Sequence, residues 1–160
     1  MPNTLDSNQS APPDAEIILR KWMLGQEAIT DLVGQRIATR LPRDAELPFI
    51  TFFRAGGTLM SPFSEAHIQS ALMPIDCYAG KWGGSSDTST PDYGTAYTVA
   101  NTIVEKAFNY SNGYITSDDD VPLRAKIYGF QIVQMPSRIE ETATGLGRYS
   151  IALSMMYRAV

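Results

Sequence analysis

One cysteine and one histidine occur in 160 residues, and each scarcity removes a class of chemistry. Cys77 has no intrachain disulfide partner, and a zinc site assembled from His and Cys needs more such ligands than the chain owns. Cys77 lies in the apolar run Ile75 to Tyr78, where a small buried hydrophobe is its ordinary role, which suits a reducing cytoplasm. Basic residues are also short: thirteen Lys and Arg against seventeen Asp and Glu leave a formal charge of −4. Such a chain offers no long-range attraction to a phosphate backbone or an anionic membrane, so neither membrane binding nor sequence-specific nucleic-acid recognition is expected. No apolar run nears the roughly 20 residues that a bilayer-crossing helix needs. The first thirteen residues lack both the basic start and the apolar stretch of a signal peptide, so export by that route is not expected.

What is present is patterned for one α+β domain. Residues 1–13 are polar and Pro-bearing with a lone Leu5, too little apolar surface to offset ordering entropy, and read as a flexible arm before a single domain at 14–160. Asp14 is placed to cap a helix in which Ile17, Ile18, Lys21, Trp22 and Leu24 fall near one face until Gly25; a shorter helix, Glu27 to Val33, follows. Gln35 to Arg40 reads as a short strand or an extended lead-in. Leu47 to Ala55 is a dense β-forming run closing on Gly56 and Gly57, read as turn residues. His67 to Tyr78 reads as a second strand, in which Pro74 implies an edge position or a bulge. Gly80 to Asp92 has the composition of a mobile loop.

The clearest helix follows, with Thr90 as cap and Pro91 in the first turn, and its apolar face runs from Tyr93 through Ala96, Tyr97, Ala100, Ile103 and Val104 to Ala107. After a short strand near Tyr114 to Thr116 comes Ala125 to Met135. There Ile127, Gly129, Gln131 and Val133 alternate against Lys126, Tyr128, Phe130, Ile132 and Gln134, so both faces carry apolar residues, and Pro136 is read as its end. The last run, Arg148 to Val160, alternates Tyr149, Ile151, Leu153, Met155 and Tyr157 against Arg148, Ser150, Ala152, Ser154, Met156 and Arg158, the pattern of a strand buried on one side. The fold expected is a mostly antiparallel sheet of four or five strands, one long helix across a face, and short amino-terminal helices at the edge.

Catalytic constellations are weak. His67, Asp76 and Cys77 are the one set from which a nucleophile and base could be assembled, yet Asp76 and Cys77 point to opposite faces of a regular strand. Asp118, Asp119 and Asp120 lack the alternate ligands and glycine of a calcium loop. Glu140 and Glu141 have no partner acid that spacing identifies. Gly56 and Gly57 carry neither a Walker lysine nor dinucleotide glycine spacing. Trp82, between Lys81 and Gly83, is a candidate exposed contact for a protein partner. No catalytic, cofactor or metal residue is assigned.

The phrase Leu32-Val33-Gly34-Gln35-Arg36-Ile37, then Leu41-Pro42 and a Pro48-led strand ending Arg54-Ala55-Gly56-Gly57, resembles the opening of siphophage tail-terminator proteins. The strand Ile75-Asp76-Cys77-Tyr78, a Gly-rich loop, the helix Ala96 to Ala107 and the phrase from Gly145 to Arg158 continue the likeness. The resemblance implies a structural virion protein, assembled in the host cytoplasm, that forms a six-membered homo-oligomeric ring. This ring caps a finished tail tube and offers a docking surface to the head connector, with tail tube protein and connector as partners and DNA passing through the lumen. A stopper or adaptor of the same junction is the alternative, and a small cytoplasmic enzyme a more distant one. On this reading Trp82, Tyr128, Phe130, Ile132, Arg148, Ser150, Ser154, Met156 and Arg158 are expected at subunit or partner contacts, together with the loops Gly80 to Asp92 and Ser137 to Gly147. Asp118, Asp119 and Asp120 are expected to line the lumen.

Overall fold

The computed structural model describes residues 14–59, 68–116, 124–140 and 143–160. The arm at 1–13, His67, Asp118, Asp119, Asp120 and Glu141 lie outside them. Helix α1, Ala15–Leu24, starts where the Asp14 carboxylate accepts the Glu16 backbone N–H at 2.9 Å and stops at Gly25. Its buried residues, Ala15, Ile18, Leu19, Trp22 and Met23, recur at helical spacing and form one stripe. Helix α2, Glu27–Val33, buries Ile29 and Val33. Strands β1 (Ile37–Ala38), β2 (Phe49–Phe52) and β3 (Gly56–Leu59) follow, then the long β4, Gln69–Lys81. Gly56 and Gly57 open β3 rather than make a turn, and a side chain at Gly57 would run into the Ser70 carbonyl of β4.

Two boundaries differ from the sequence reading at Gly80 to Asp92. Thr90 and Pro91 form a short strand, β5, opposite Lys81 and Gly80, so the segment is tied back onto β4, with Gly83 N–H donating to Ser89 Oγ at 3.1 Å. The cap of helix α3, Tyr93–Phe108, is therefore Asp92 rather than Thr90. The Asp92 carboxylate accepts Thr95 N–H at 3.0 Å and Thr95 Oγ–H at 2.7 Å, and these bonds hold its pKa below the ordinary value. Strand β6 (Gly113–Thr116) leads to β7 (Arg124–Ile139) and β8 (Gly147–Ala159).

Among the described residues the sheet has eight strands, with the path β1-β2-β4-β8-β7-β6 and with β3 and β5 also on β4. Four or five strands were expected; β1, β3 and β5, each of two to four residues, are too short to leave a period in sequence. The sheet is mixed, because β1 runs parallel to β2 while the other pairs are antiparallel. Strand β8 lies between β4 and β7 and is paired along both sides.

All three helices serve one face. On it Ala71, Met73, Ile75 and Cys77 of β4 and Ile151, Leu153, Met155 and Tyr157 of β8 meet Val99, Ala100, Ile103 and Ala107 of α3, all 0–1% exposed. Each large side chain so buried contributes roughly 1.5–3 kcal/mol. The amino-terminal helices do not sit at the sheet edge as expected. Arg20 Nε of α1 donates to Ile37 O of β1 at 2.8 Å, while the Trp22 ring packs tilted on Phe130 of β7 at 4.4 Å and edge-to-face with Tyr110 at 5.9 Å. Helix α1 thus reaches from one end of the strand order to the other, across the covered face.

Candidate interaction surface

The second face of the sheet has no helix among the described residues. Arg148, Ser150, Ser154, Met156 and Arg158 of β8 share it with Leu72, Pro74 and Asp76 of β4, as the paired register requires. These side chains are half-buried or exposed, while their odd-numbered neighbours from Ile151 to Tyr157 are buried. At one end of this face Arg148 donates from a guanidinium nitrogen to Asp76 Oδ2 at 2.8 Å and lies 5.6 Å from the Tyr78 ring. The other oxygen, Asp76 Oδ1, is shielded from solvent and has no hydrogen-bond partner among the described residues. Cys77, next in the strand, points the other way into the core. Burial, with the Asp76 charge adding to it, pushes its thiol far up, and such a thiol is no nucleophile.

Strand β7 explains why both of its faces looked apolar. Tyr128, Val133 and one residue between Gln134 and Ser137 are extra relative to β8, so the strand carries three bulges. The first changes the parity: Ile127, Phe130 and Ile132 lie opposite Tyr157, Met155 and Leu153, all on the helix-covered face. Phe130, expected at a contact with a neighbour, is instead packed on Trp22. Ile132 is partly buried against the core. Tyr128 stays half-buried with Lys126 Nζ 5.1 Å from its ring. The third bulge holds Pro136, which does not end the strand. A residue without an amide donor is tolerated at a bulge, and β7 continues to Ile139, with Arg138 over the Tyr93 ring at 3.7 Å.

The same rule holds at Pro74. Phe52 pairs with Ile75 and Gly56 with Leu72, so the outer chain carries one extra residue near Arg54, beside Pro74. Trp82 is not a free contact: its indole N–H donates to Ala45 O at 2.7 Å, at the mouth of an open cleft of about 500 Å³ shared with Leu41, Arg43, Tyr78 and Ser89.

Exposed apolar residues mark two places that the sequence reading missed. Phe108 (77%) and Met135 (60%) line a groove of about 520 Å³ between α3 and β7 together with Ile132, Val104 and Glu105, and Val133 (53%) is exposed at the neighbouring bulge of β7. Phe53 (50%) stands at the bulge between β2 and β3. Their sequence signal was weak, since single apolar residues at element ends carry no period. Among the described residues no group of His, Cys, Asp or Glu is arranged to hold a metal ion, and no helix is long and apolar enough to cross a membrane.

No family model and no curated protein matches the chain. Among solved structures, a chain of the virion of a native gene transfer agent particle is similar in fold. The TM-score is 0.52 at 11% identity, over 91% of this chain and 93% of that one.

Proposed function

We propose that the protein is a structural component of a phage-like virion: a ring subunit at the head-tail junction that caps the tail tube and then presents a docking surface to the head connector. The observation that carries the reading is the likeness of fold to a gene transfer agent virion chain, which spans nearly the whole of both chains. The order of phrases from Leu32 to Arg158 supports the terminator assignment in particular. Capping needs no chemistry, only surfaces, and the uncovered sheet face offers one. Arg148, Ser150, Ser154, Met156 and Arg158 line it along β8, beside Leu72, Pro74 and Asp76 of β4. A ring subunit meets two neighbours through two different patches, because its contacts are head-to-tail. In this proposal the ring has six members, the tube protein and the connector bind its opposite ends, and Asp118, Asp119 and Asp120 keep the lumen unattractive to passing DNA phosphate.

Deleting the gene separates this role from that of a stopper or adaptor. Loss of a terminator should give overlong tails seen by electron microscopy. Filled heads that leak DNA, with tails of normal length, would overturn the terminator assignment in favour of a stopper.

A further inference from the structure

In the helices and paired strands of the described residues, two places set like charges side by side. Across β7 and β8 Lys126 is directly opposite Arg158, with the exposed Arg124 two residues along the same face. On helix α2 Glu27 and Asp31 stand four residues apart, and both are exposed. None of these five side chains forms an ion pair among the described residues. Arg158 Nε is also shielded from solvent without a hydrogen-bond partner among them. Each arrangement works against the lone subunit, because like charges opposite each other on strands, or four apart on a helix, repel. The two signs lie on opposite sides of the sheet. Arg158 belongs to the uncovered face, and Lys126 and then Tyr114 of β6 share that face through their pairing. Lys126 Nζ stands 5.4 Å from the Tyr114 ring and 5.1 Å from the Tyr128 ring, which holds the cation down on the sheet. Helix α2 is on the helix-covered side, with Ile29 and Val33 in the core and its two carboxylates outward.

From this we infer that a second copy of this chain docks the Glu27 and Asp31 carboxylates of its α2 on the Lys126–Arg158 corner of the uncovered face, beside Tyr114. The inference rests on the ring reading and names a contact that would build it. A nucleic-acid backbone is the other anion such a corner could take, and the net charge of −4 works against its approach. A second copy carries the same net charge, yet it brings an acidic pair whose own repulsion the contact relieves, so both partners are stabilised. The exposed Tyr114 suits a protein contact as well, since tyrosine is enriched where protein surfaces meet. The two patches differ and look away from each other across the sheet. The contact therefore repeats from copy to copy and closes into a ring when the rotation allows.

The test uses the full chain and two charge reversals, Arg158→Glu and Asp31→Lys. Each turns a like-charge pair within the subunit into an opposite pair, Glu with Lys126 or Glu27 with Lys. The melting temperature of the dilute monomer should therefore hold or rise, which a merely damaged fold would not show. Native mass spectrometry and light scattering at low salt should find wild type in multi-subunit assemblies that loosen as salt is raised. Each single variant should associate about tenfold more weakly, and the double variant should recover, because its exchanged charges meet again across the contact. Association of either single variant like wild type, a double variant no better than the singles, or wild type that stays monomeric at all concentrations would overturn the contact. So would a fall in the melting temperature of Arg158→Glu, since the subunit would then hold a counter-charge of its own. Binding of a DNA duplex that Arg158→Glu abolishes, with association unchanged, would overturn it in favour of nucleic acid. Overlong tails on gene deletion together with unchanged association of both variants would remove the contact and leave the capping role. Tails of normal length together with recovery in the double variant would do the reverse.

Discussion

Strands β7 and β8 lie side by side, yet β8 keeps a strict two-residue alternation for thirteen residues while β7 breaks it three times in sixteen. The difference follows from position. Strand β8 is laddered on both sides, so an extra residue would break pairing with β4 or β7 and turn core side chains outward. Strand β7 is laddered on one side beyond Ile127, and an extra residue there bulges into free space. Alternation in sequence is therefore a faithful guide to facing in the interior of a sheet and a poor one at its margin.

The contrast can be broken by deleting one residue from each strand. Loss of Ser154 from β8 should be the most severe change, because it shifts Met155 and Tyr157 by one position against both neighbours. A cost above about 4 kcal/mol is expected, enough to prevent folding, and soluble yield with circular dichroism would show it. Substitution sharpens the same point at intermediate size. Leu153→Ala in β8 should cost about 2–5 kcal/mol in urea unfolding, whereas Ile132→Ala, directly opposite it in β7 but half-exposed, should cost about 1–2 kcal/mol. Deleting Tyr128 should matter least. Ile127 would then continue straight to Gly129, opposite Tyr157 and Met156, and every other pair would keep its partner. The expected loss is about 0.5–1 kcal/mol, the scale of the contact between Lys126 and the Tyr128 ring. If removing Tyr128 unfolds the protein as removing Ser154 does, the two strands are not different in kind.

The elements legible in sequence were those whose period is long and whose partners are regular: α1 with its Asp14 cap, α3, and β8 with its two faces. Asp92 displaced Thr90 as the cap of α3 because Thr90 and Pro91 are held by β4, a tertiary contact that local spacing does not encode. The facing of Phe130 was lost at the Tyr128 bulge, which no residue type announces. Pro136 was legible in principle. The reasoning that gave Pro74 an edge position or a bulge applies to it equally, and the exposed Met135 beside it lines the groove between α3 and β7.

The central place of β8 also fixes an order of events during synthesis. Strands β1 to β4 and strands β6 and β7 share β8 as their common neighbour in the sheet, and Gln69 must wait for Tyr157, 88 residues later, before Tyr157 Oη–H can donate to its Oε1 at 3.1 Å. Until the ribosome has delivered β8, β4 and β7 each present a long, half-formed edge to the cell. Contacts so distant in sequence form slowly, and a chain in that state is exposed to wrong partners, its own copies on neighbouring ribosomes included. The nascent chain is thus open in the middle of its sheet until β8 is in place.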